Sequence, residues 1–276
     1  MNTKSSMKSI KLYSLVTFLI VASLYSFKPL PRKIIRDDFK KFYDKYKVQG
    51  SFMMYDQKND QYTIYNEAQT SVPFTPASTF KICNSLVSLE TRVVKDEHVV
   101  FKWDGKERML PVWNKDTDMK NAFKNSTVWY YQELARRVGE ERMKNWLHKA
   151  KYGNADIEGG IDAFWLSGKL RITPNEQIDF LRRLHDNKLP FSKRSMDIVK
   201  DIMIAKDTLG AVLRVKTGSG KQDQQYVGWY VGYITTKDNV YYFSNCIQST
   251  DKNPDFGKAR LDIANDIIEE LKVLKK

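Results

Sequence analysis

A serine and a lysine three residues apart are the first candidates for chemistry in this chain. Ser78 and Lys81 end a stretch, beginning at Phe74, whose composition predicts a turn followed by a helix. Residues three apart share one face of a helix, so the Ser78 hydroxyl and the Lys81 amine can meet. A serine hydroxyl is a weak nucleophile until a neighbouring base accepts its proton. The pair therefore indicates acyl-transfer chemistry in which lysine takes the place of histidine.

The surroundings of Ser78 distinguish it from other serines with the same spacing. Pro76 suits the first position of a helix, which places Ser78 in the first turn, where backbone N–H groups are free. These N–H groups and the helix dipole favour a developing oxyanion. Ser5 and Ser249 also precede a lysine by three residues, but they lie in a basic leader and a polar loop. Only the Ser78 copy continues into an apolar run, residues 82–89.

Three further short motifs follow along the chain. They are Ser126-Thr127-Val128, Tyr152-Gly153-Asn154 and Lys216-Thr217-Gly218. The last ends a strand-like run and precedes glycine-rich residues, where free N–H groups at a strand edge can complete an oxyanion hole. In that arrangement the N–H of Ser219 pairs with the N–H of Ser78. Each motif taken alone is equally typical of an ordinary turn.

Strand-like and helical patterns occupy different parts of the chain. Five strands are predicted near its ends, at residues 49–57, 61–67, 211–217, 226–236 and 240–248. Helices are predicted at residues 79–91, 127–138, 141–150, 174–185, 192–204 and 256–274. This order predicts an α+β fold with an antiparallel five-stranded sheet flanked by helices. A mostly helical region, about residues 79–205, is inserted between the sheet-forming ends, and the site is expected in the groove between them.

Length and charge restrict the class of protein. The chain has 276 residues, 42% hydrophobic and 29% charged, which fits one sizeable domain with its own core. The net charge is +13, but the basic residues are interspersed with acids. This pattern favours a solvated surface that attracts small anions over a nucleic-acid interface. We therefore expect no nucleic-acid partner, and both a monomer and a homodimer remain open.

The N-terminus has the composition of a secretory signal peptide. Residues 1–11 contain three lysines and no acid, and a short apolar run follows at residues 12–27. We predict a signal peptide over residues 1–26, secretion to the periplasm, and no stable membrane insertion after processing. Residues 27–276 are predicted to form a single catalytic domain. An uncleaved N-terminal anchor is the alternative.

The chain is poor in groups that hold metals or serve as the usual general base. Cys83 and Cys246 are too few for a disulfide framework or a zinc site, and we predict two free, buried thiols. His98, His148 and His185 lie outside any Ser-His-Asp or metal-binding pattern and are predicted at the surface. No metal is expected, and lysine remains the candidate base.

Taken together, these motifs resemble those of the class D (oxacillinase-type) serine β-lactamases. The resemblance covers essentially the whole mature chain, in the family's order and approximate spacing. It is carried by Pro76-Ala77-Ser78-Thr79-Phe80-Lys81, Ser126-Thr127-Val128, Tyr152-Gly153-Asn154, Asp162-Ala163-Phe164-Trp165-Leu166 and Lys216-Thr217-Gly218. It implies the β-lactamase and penicillin-binding transpeptidase fold, an α/β sandwich with a helical subdomain. It also implies hydrolysis of the amide bond of β-lactam antibiotics through an acyl-enzyme.

The resemblance implies roles for individual residues. Ser78 is the acylated nucleophile, and Lys81 reacts with carbon dioxide to form a carbamate that serves as general base in acylation and deacylation. Ser126 relays a proton toward the departing lactam nitrogen. The implied substrate-binding groups are Lys216 and Thr217 for the substrate carboxylate, and the N–H groups of Ser78 and Ser219 for the carbonyl oxygen. No other cofactor is implied.

The residues near Lys81 in these motifs suit a carbamate. Carbon dioxide adds only to a neutral amine, and burial among apolar groups lowers a lysine pKa by up to about 3–5 units. Phe80, Val128 and Trp165 are the predicted sides of this carbamate pocket. Val128 offers no charge to hold an ammonium, and Trp165 is expected to donate its indole N–H and to exclude water.

Arg260 is a further predicted substrate-binding residue. It lies four residues before Ala264 and seven before Ile267, on the helix stripe expected to face the sheet. A guanidinium on that side needs an anionic partner, and the substrate carboxylate can serve through paired hydrogen bonds. The alternative is an arginine near a helix start that extends into solvent.

Substrate preference and two alternative functions complete the expectations. Leu110-Pro111 and Ser219-Gly220-Lys221 lack the tyrosine, the bulky aromatic and the methionine of certain carbapenem-hydrolysing members, so penicillins, including oxacillin-type ones, are the predicted substrates. One alternative is a penicillin-binding sensor domain that stays acylated. Such receptors are attached to a multi-span membrane segment, which we do not expect here. The other is a cell-wall transpeptidase or carboxypeptidase, but the pocket of Trp165 and Val128 favours the lactamase.

Overall fold

Seven strands form one sheet in the computed structural model, which describes residues 30–208, 210–251 and 255–273. The strands are β1 (Arg32–Ile35), β2 (Gln49–Asp56), β3 (Gln61–Tyr65), β4 (Ile204–Thr208), β5 (Ala211–Gln222), β6 (Gln225–Thr236) and β7 (Val240–Ser249). Their order across the sheet is β1-β3-β2-β7-β6-β5-β4. Neighbouring strands are antiparallel, except that β1 runs parallel to β3.

The prediction of an antiparallel five-stranded sheet is wrong in strand number and in the direction of one strand. All five predicted strands are present, and β1 and β4 are added at the two edges. Every residue of β4 is exposed, and β1 contains no buried residue. A strand that buries neither face leaves no alternating apolar pattern in the sequence. Because β4 has no apolar pattern of its own, the helix predicted over residues 192–204 includes Ile204. In the structure Ile204 is the first residue of β4.

The described part of the chain contains eight α-helices. They are α1 (Lys40–Asp44), α2 (Lys81–Glu90), α3 (Met119–Lys124), α4 (Val128–Val138), α5 (Glu140–Ala150), α6 (Pro174–His185), α7 (Lys193–Ile202) and α8 (Phe256–Glu270). The six predicted helices are all present. The helices α1 and α3 have five and six residues, which is too short for a helical period to be recognised in the sequence.

Helices cover both faces of the central strands of the sheet, which confirms the α+β class. One face packs against α1 and α8, with Phe52 and Ile267 in that core. The other face packs against the helical region between β3 and β4, with Met53 and Trp229 in the second core. Phe52 and Met53 are neighbours in β2 that enter different cores, because successive side chains of a strand point to opposite faces.

The helix α2 runs through the interior of the helical region, and its residues from Lys81 to Leu89 are all buried. Its polar side chains are hydrogen-bonded, as burial requires. Asn84 Nδ2 donates to the Tyr131 carbonyl at 3.1 Å, and Ser85 Oγ donates to the Lys81 carbonyl at 2.8 Å. The central position of α2 thus places the Lys81 amine inside the protein.

The sequence predicts that the cysteines are free and buried and that the histidines lie at the surface. Cys83 in α2 and Cys246 in β7 are both free and buried, which confirms the prediction for them. His98 and His148 are exposed, also as predicted. The prediction for His185 is wrong, because its ring is partly buried and packs edge-on against the aromatic rings of β6 and β7.

The predicted signal peptide, residues 1–26, lies outside the described residues. Among the residues that the structure describes, no helix has the length and apolar character needed to cross a membrane. The division of the chain into a leader and one catalytic domain stays a prediction.

Candidate active site

Ser78 lies in a short 3₁₀ helix, Ala77–Phe80, that leads directly into α2. Pro76 immediately precedes this helix, so the N–H of Ser78 belongs to the first turn, where N–H groups have no partner within the helix. Ala77 has φ of +46°, in the left-handed region that residues other than glycine rarely adopt. Strain of this kind persists only where surrounding contacts enforce it, and it is concentrated at functional sites.

The structure brings the Ser78 hydroxyl and the Lys81 amine together. The two atoms, Oγ and Nζ, lie 2.7 Å apart. Lys81 is fully buried, and no acidic residue is among the groups that shift its pKa. Burial, and then the positive charge of Lys216, holds the pKa of Lys81 well below its usual value. This shift favours the neutral amine, which is the form that can accept a proton.

An aromatic ring lies beside the Lys81 amine. Its Nζ lies 5.3 Å from the centroid of the Tyr131 ring. Phe80 and Trp165 are fully buried, and their ring centroids are 5.3 Å apart. Val128 is half-buried at the first position of α4. The motifs did not identify Tyr131, although its position three residues after Val128, on the same face of α4, is a signal that could have found it.

The indole N–H of Trp165 is buried and has no hydrogen-bond partner among the described residues. The indoles of Trp113, Trp129 and Trp229, by contrast, donate to backbone carbonyl oxygens. An unpaired buried donor costs about 1–3 kcal/mol. This unused donor in apolar surroundings suits an oxygen acceptor such as a lysine carbamate.

Lys216 links β5 to the turn that contains Ser126. Its Nζ donates to Ser126 Oγ at 3.2 Å and to the Thr217 carbonyl at 3.1 Å, and it lies 3.4 Å from Thr217 Oγ1. Ser126 lies between α3 and α4 with a left-handed φ of +54°. Burial, and then the charge of Arg260, lowers the pKa of Lys216 to about 7. The structure thus places Ser126, Lys216 and Thr217 in one cluster.

Arg260 approaches the same strand from α8. Its Nη1 donates to the Gly218 carbonyl, and its Nε is buried without a partner among the described residues. Burial lowers the pKa of Arg260, and Ala264 and Ile267 on the same stripe are fully buried. Arg260 itself is half-buried, and its guanidinium is directed toward β5. No acidic group is among those that shift the pKa values of Lys216 and Arg260, so the two side chains form a positive site that suits an anion.

The strand β5 extends further than the sequence predicts. It continues to Gln222, so the Lys216-Thr217-Gly218 motif lies within the strand rather than at its end. Two glycines allow the strand to approach the nucleophile turn. A Cβ atom on Gly218 would lie 2.9 Å from the Pro76 carbonyl oxygen, and one on Gly220 would lie 3.2 Å from Ala77 Cβ.

The peptide between Gly218 and Ser219 has a defined orientation. Its carbonyl accepts the hydrogen bond from Arg260, and in a trans peptide the N–H points the opposite way. Beyond Arg214, β5 pairs with β6 but no longer with β4, so one edge of the strand is left without a strand partner at Ser219. An exposed Ser219 on this free edge and the Ser78 turn packed beside it suit a pair of N–H donors to one oxyanion.

The arrangement provides the parts that acyl transfer needs. A nucleophile is paired with a buried amine, a hydroxyl is paired with a second lysine, and two cations lack an anion. Such a site suits a substrate that carries both a reactive carbonyl and a carboxylate.

Comparisons with known proteins agree with this geometry. Residues 44–269 match the family described as the penicillin binding protein transpeptidase domain. The β-lactamase OXA-48 of Klebsiella pneumoniae is 45% identical over 202 residues, which cover 73% of this chain and 76% of that protein.

Two solved structures are similar over most of the chain. The class D β-lactamase YbXI from Nostoc has a TM-score of 0.82 and 44% identity, covering 86% of this chain and 99% of that chain. The C-terminal domain of the Bacillus licheniformis BlaR penicillin receptor has a TM-score of 0.83 and 32% identity, covering 90% of this chain and 100% of that chain. The chain is thus similar both to enzymes and to a receptor domain.

Proposed function

The chain belongs to the class D β-lactamases, within the penicillin-binding transpeptidase family, and we propose that it hydrolyses penicillins with a carbamylated Lys81 as general base. As a member of this family it is a hydrolase that acts on the cyclic amide bond of β-lactams. The observation that carries the finer proposal is the buried, low-pKa amine of Lys81, 2.7 Å from Ser78 Oγ. The unpaired indole N–H of Trp165 supports it.

Acylation transfers the lactam carbonyl to Ser78. The Oγ atom passes its proton to the Lys81 side chain, whose Nζ lies 2.7 Å away, and bonds to the carbonyl carbon, while the N–H groups of Ser78 and Ser219 donate to the developing oxyanion. The lactam C–N bond then breaks as Ser126 donates its proton to the departing nitrogen. Lys216 lies 3.2 Å from Ser126 Oγ and has a pKa of about 7, so it can return a proton to Ser126.

Deacylation releases the acid product. A water molecule attacks the ester carbon, the bond to Ser78 Oγ breaks, and Ser78 regains its proton. The carbamate that carbon dioxide forms with a neutral lysine amine supplies a general base for both half-reactions. The chain's own residues favour the neutral amine, because Lys81 is fully buried and no acidic residue is among the groups that shift its pKa. The Trp165 indole N–H would hold this carbamate by donating a hydrogen bond to one of its oxygens.

Lys216, Thr217 and Arg260 are the proposed partners of the substrate carboxylate. The two cations supply the charge, and the Thr217 hydroxyl lies beside the Lys216 amine. Leu110 directly precedes the short 3₁₀ helix Pro111–Trp113. The Trp113 indole N–H donates to the carbonyl of Asn125, the residue before Ser126. In certain carbapenem-hydrolysing members, aromatic side chains close an apolar bridge over the site. Leu110 and the small residues after Gly218 do not provide those side chains here. We therefore propose that penicillins, including oxacillin-type ones, are turned over faster than carbapenems.

Turnover separates this proposal from the penicillin-binding sensor and the cell-wall transpeptidase, which use the same serine and lysine. The purified protein is mixed with an excess of a chromogenic cephalosporin, with Ser78→Ala as the inactive control. We expect many equivalents of hydrolysed product per protein molecule. A burst that stops at one equivalent would support the sensor or the transpeptidase instead. Equal turnover of a penicillin and a carbapenem would contradict the substrate preference.

Secretion to the periplasm is also proposed, on the composition of residues 1–26. Expression of the full chain in a Gram-negative host followed by N-terminal sequencing of the periplasmic protein tests this. A mature N-terminus close to residue 27 is expected. Recovery of the intact N-terminus in the membrane fraction would support the uncleaved anchor.

A further inference from the structure

The backbone just before the nucleophile turn is held by hydrogen bonds from several elements. Phe74 exchanges two backbone hydrogen bonds with Ile172, at 3.0 and 2.9 Å. All three polar groups of Thr75, which is 1% exposed, are also used. Its N–H donates to Gln222 Oε1 at 2.7 Å, its carbonyl accepts from Trp229 Nε1 at 2.8 Å, and its Oγ1 donates to the Trp165 carbonyl at 3.2 Å.

Gln222 binds this segment as a second peptide group would. Its Oε1 accepts from the N–H of Thr75, and its Nε2 donates to the carbonyl of Pro73 at 3.3 Å. A side-chain amide has the donor and the acceptor of a backbone peptide, so one residue can satisfy both groups. Gln222 is the last residue of β5, the strand that carries Lys216 and Ser219. Its side chain therefore extends the hydrogen bonding of β5 to the chain that leads to Ser78.

This contact lies three residues from each proposed oxyanion donor. Ser78 follows Thr75 by three residues, and Ser219 precedes Gln222 by three. Between them, the strained Ala77 packs against Gly220, where a Cβ would approach Ala77 Cβ to 3.2 Å. A movement of the turn relative to β5 would change this contact at Ala77, and the two hydrogen bonds of Gln222 oppose such a movement. The separation of the turn from the strand fixes where the two N–H groups point.

We propose that Gln222 is a positioning residue, which holds the Ser78 turn at the distance from β5 that the oxyanion hole requires. Gln222 acts through the backbone of Thr75 and does not touch the substrate. The inference rests on the proposed function, because the N–H groups of Ser78 and Ser219 are the oxyanion donors of that proposal. A misplacement of about 1 Å in such a site can lower the rate of the chemical step by about a hundredfold.

The first test removes both hydrogen bonds of Gln222 while keeping its length. Gln222→Met is compared with the wild type and with Gln224→Met, a change in the exposed turn after β5. The acylation rate constant is measured in single turnover with a chromogenic cephalosporin in bicarbonate-saturated buffer. We expect it to fall about ten- to a hundredfold in Gln222→Met and to be unchanged in Gln224→Met. An acylation constant in folded Gln222→Met within twofold of the wild type would overturn the inference.

A spectroscopic readout separates positioning from a general loss of stability. The ester carbonyl stretch of the acyl-enzyme reports the hydrogen bonds that the carbonyl oxygen accepts. We expect this infrared band to shift to higher frequency in Gln222→Met, because the two N–H donors no longer converge. A lower melting temperature with an unmoved band would mean that Gln222 only stabilises the fold.

Gln222→Glu provides an independent test within a single folded protein. The carboxylate can accept from the Thr75 N–H, but its second oxygen faces the Pro73 carbonyl oxygen and has no proton to donate. Protonation restores the donor. The acylation constant of Gln222→Glu, divided by that of the wild type at the same pH, should therefore rise as the pH falls. A ratio that is independent of pH would contradict the inference. This test remains decisive even if Gln222→Met does not fold.

The outcomes distinguish this inference from the proposed function. If the wild type acylates but bicarbonate has no effect on its activity, the carbamate proposal fails. The comparison of acylation constants between Gln222→Met and the wild type still decides the role of Gln222. If bicarbonate activates both proteins equally and their acylation constants agree, the positioning role fails and the carbamate proposal stands.

Discussion

The Lys81 amine lies 2.7 Å from the Ser78 hydroxyl oxygen. Lys81 is the first residue of α2, a helix that is buried from Lys81 to Leu89. Three-residue spacing on a helix accounts for the contact, and the packing around α2 accounts for the state of the amine. Burial and the charge of Lys216 hold the pKa of Lys81 well below its usual value. The chemistry of the site therefore depends on whether this amine is neutral.

Lys81→Ala should leave Ser78 able to acylate slowly but unable to release the product. Loss of the general base is expected to lower turnover by about 10²–10⁴-fold. Intact-protein mass spectrometry after mixing with penicillin should then show a persistent adduct. Lys144→Ala, at an exposed position of α5, is the matched control and should behave as the wild type. An unaltered turnover rate in Lys81→Ala would exclude the assigned role.

Removal of carbon dioxide should inactivate the enzyme reversibly. A carbamate forms only from carbon dioxide and a neutral amine, so activity in degassed buffer should fall and should return when bicarbonate is added. Steady-state hydrolysis of a penicillin as a function of bicarbonate concentration measures this. The residual activity of Lys81→Ala should not respond. A wild-type rate that is independent of bicarbonate would count against the carbamate.

Trp165→Phe should weaken the response to bicarbonate and should destabilise the fold only through the smaller volume of its ring. Its indole N–H has no partner, so removing it loses no hydrogen bond within the described residues. The concentration of bicarbonate that gives half-maximal activity should rise. Trp229→Phe is the contrasting variant, because it leaves the Thr75 carbonyl unpaired and should lower the free energy of unfolding by about 1–3 kcal/mol. An unchanged bicarbonate requirement in Trp165→Phe would remove the proposed donor from the account.

The pH profile of kcat/KM should be bell-shaped. At low pH Lys81 becomes protonated and no longer accepts the Ser78 proton or carbon dioxide. At high pH Lys216, with a pKa of about 7 in the free protein, loses the charge that attracts the substrate carboxylate. A bound carboxylate raises that pKa, so the alkaline limb of kcat should lie at higher pH than that of kcat/KM. Coincident alkaline limbs would contradict the role of Lys216.

Lys216→Met should stabilise the protein most at low pH. The folded-state pKa of Lys216, about 7, is lower than that of an unfolded lysine, so the unfolded chain holds the extra proton between these values. The free energy of unfolding therefore rises with pH across this window. Below a pH of about 7, the folded protein bears the full cost of burying the charged Lys216. The variant is expected to gain about 1–2 kcal/mol at pH 6 and less at pH 9. Denaturant unfolding at both pH values measures the difference, and a gain that grows with pH would contradict the account.

Local patterns in the sequence predicted the parts of the site that lie on one element. The contact between Ser78 and Lys81 follows from helical spacing, and the inward direction of Arg260 follows from the apolar stripe of α8. The edge strands β1 and β4 were not predictable, because they bury no residues and leave no periodic pattern. The length of β5 was underestimated because its glycines are typical of turns.

Contacts between distant residues were also beyond the sequence. The hydrogen bond between Thr75 and Gln222 joins residues 147 positions apart, and neither belongs to a recognised motif. It becomes visible only when the sheet places the end of β5 beside the nucleophile turn. The ring of Tyr131 beside Lys81 likewise depends on the packing of α4 against α2.

The most direct measurement is ¹³C NMR of the fully active protein equilibrated with ¹³C-labelled bicarbonate at its working pH. We expect one carbamate resonance in the wild type that is absent in Lys81→Ala and whose intensity follows activity as bicarbonate is varied. A fully active protein without that resonance, with Lys81 observed as an ammonium group, would contradict the central claim.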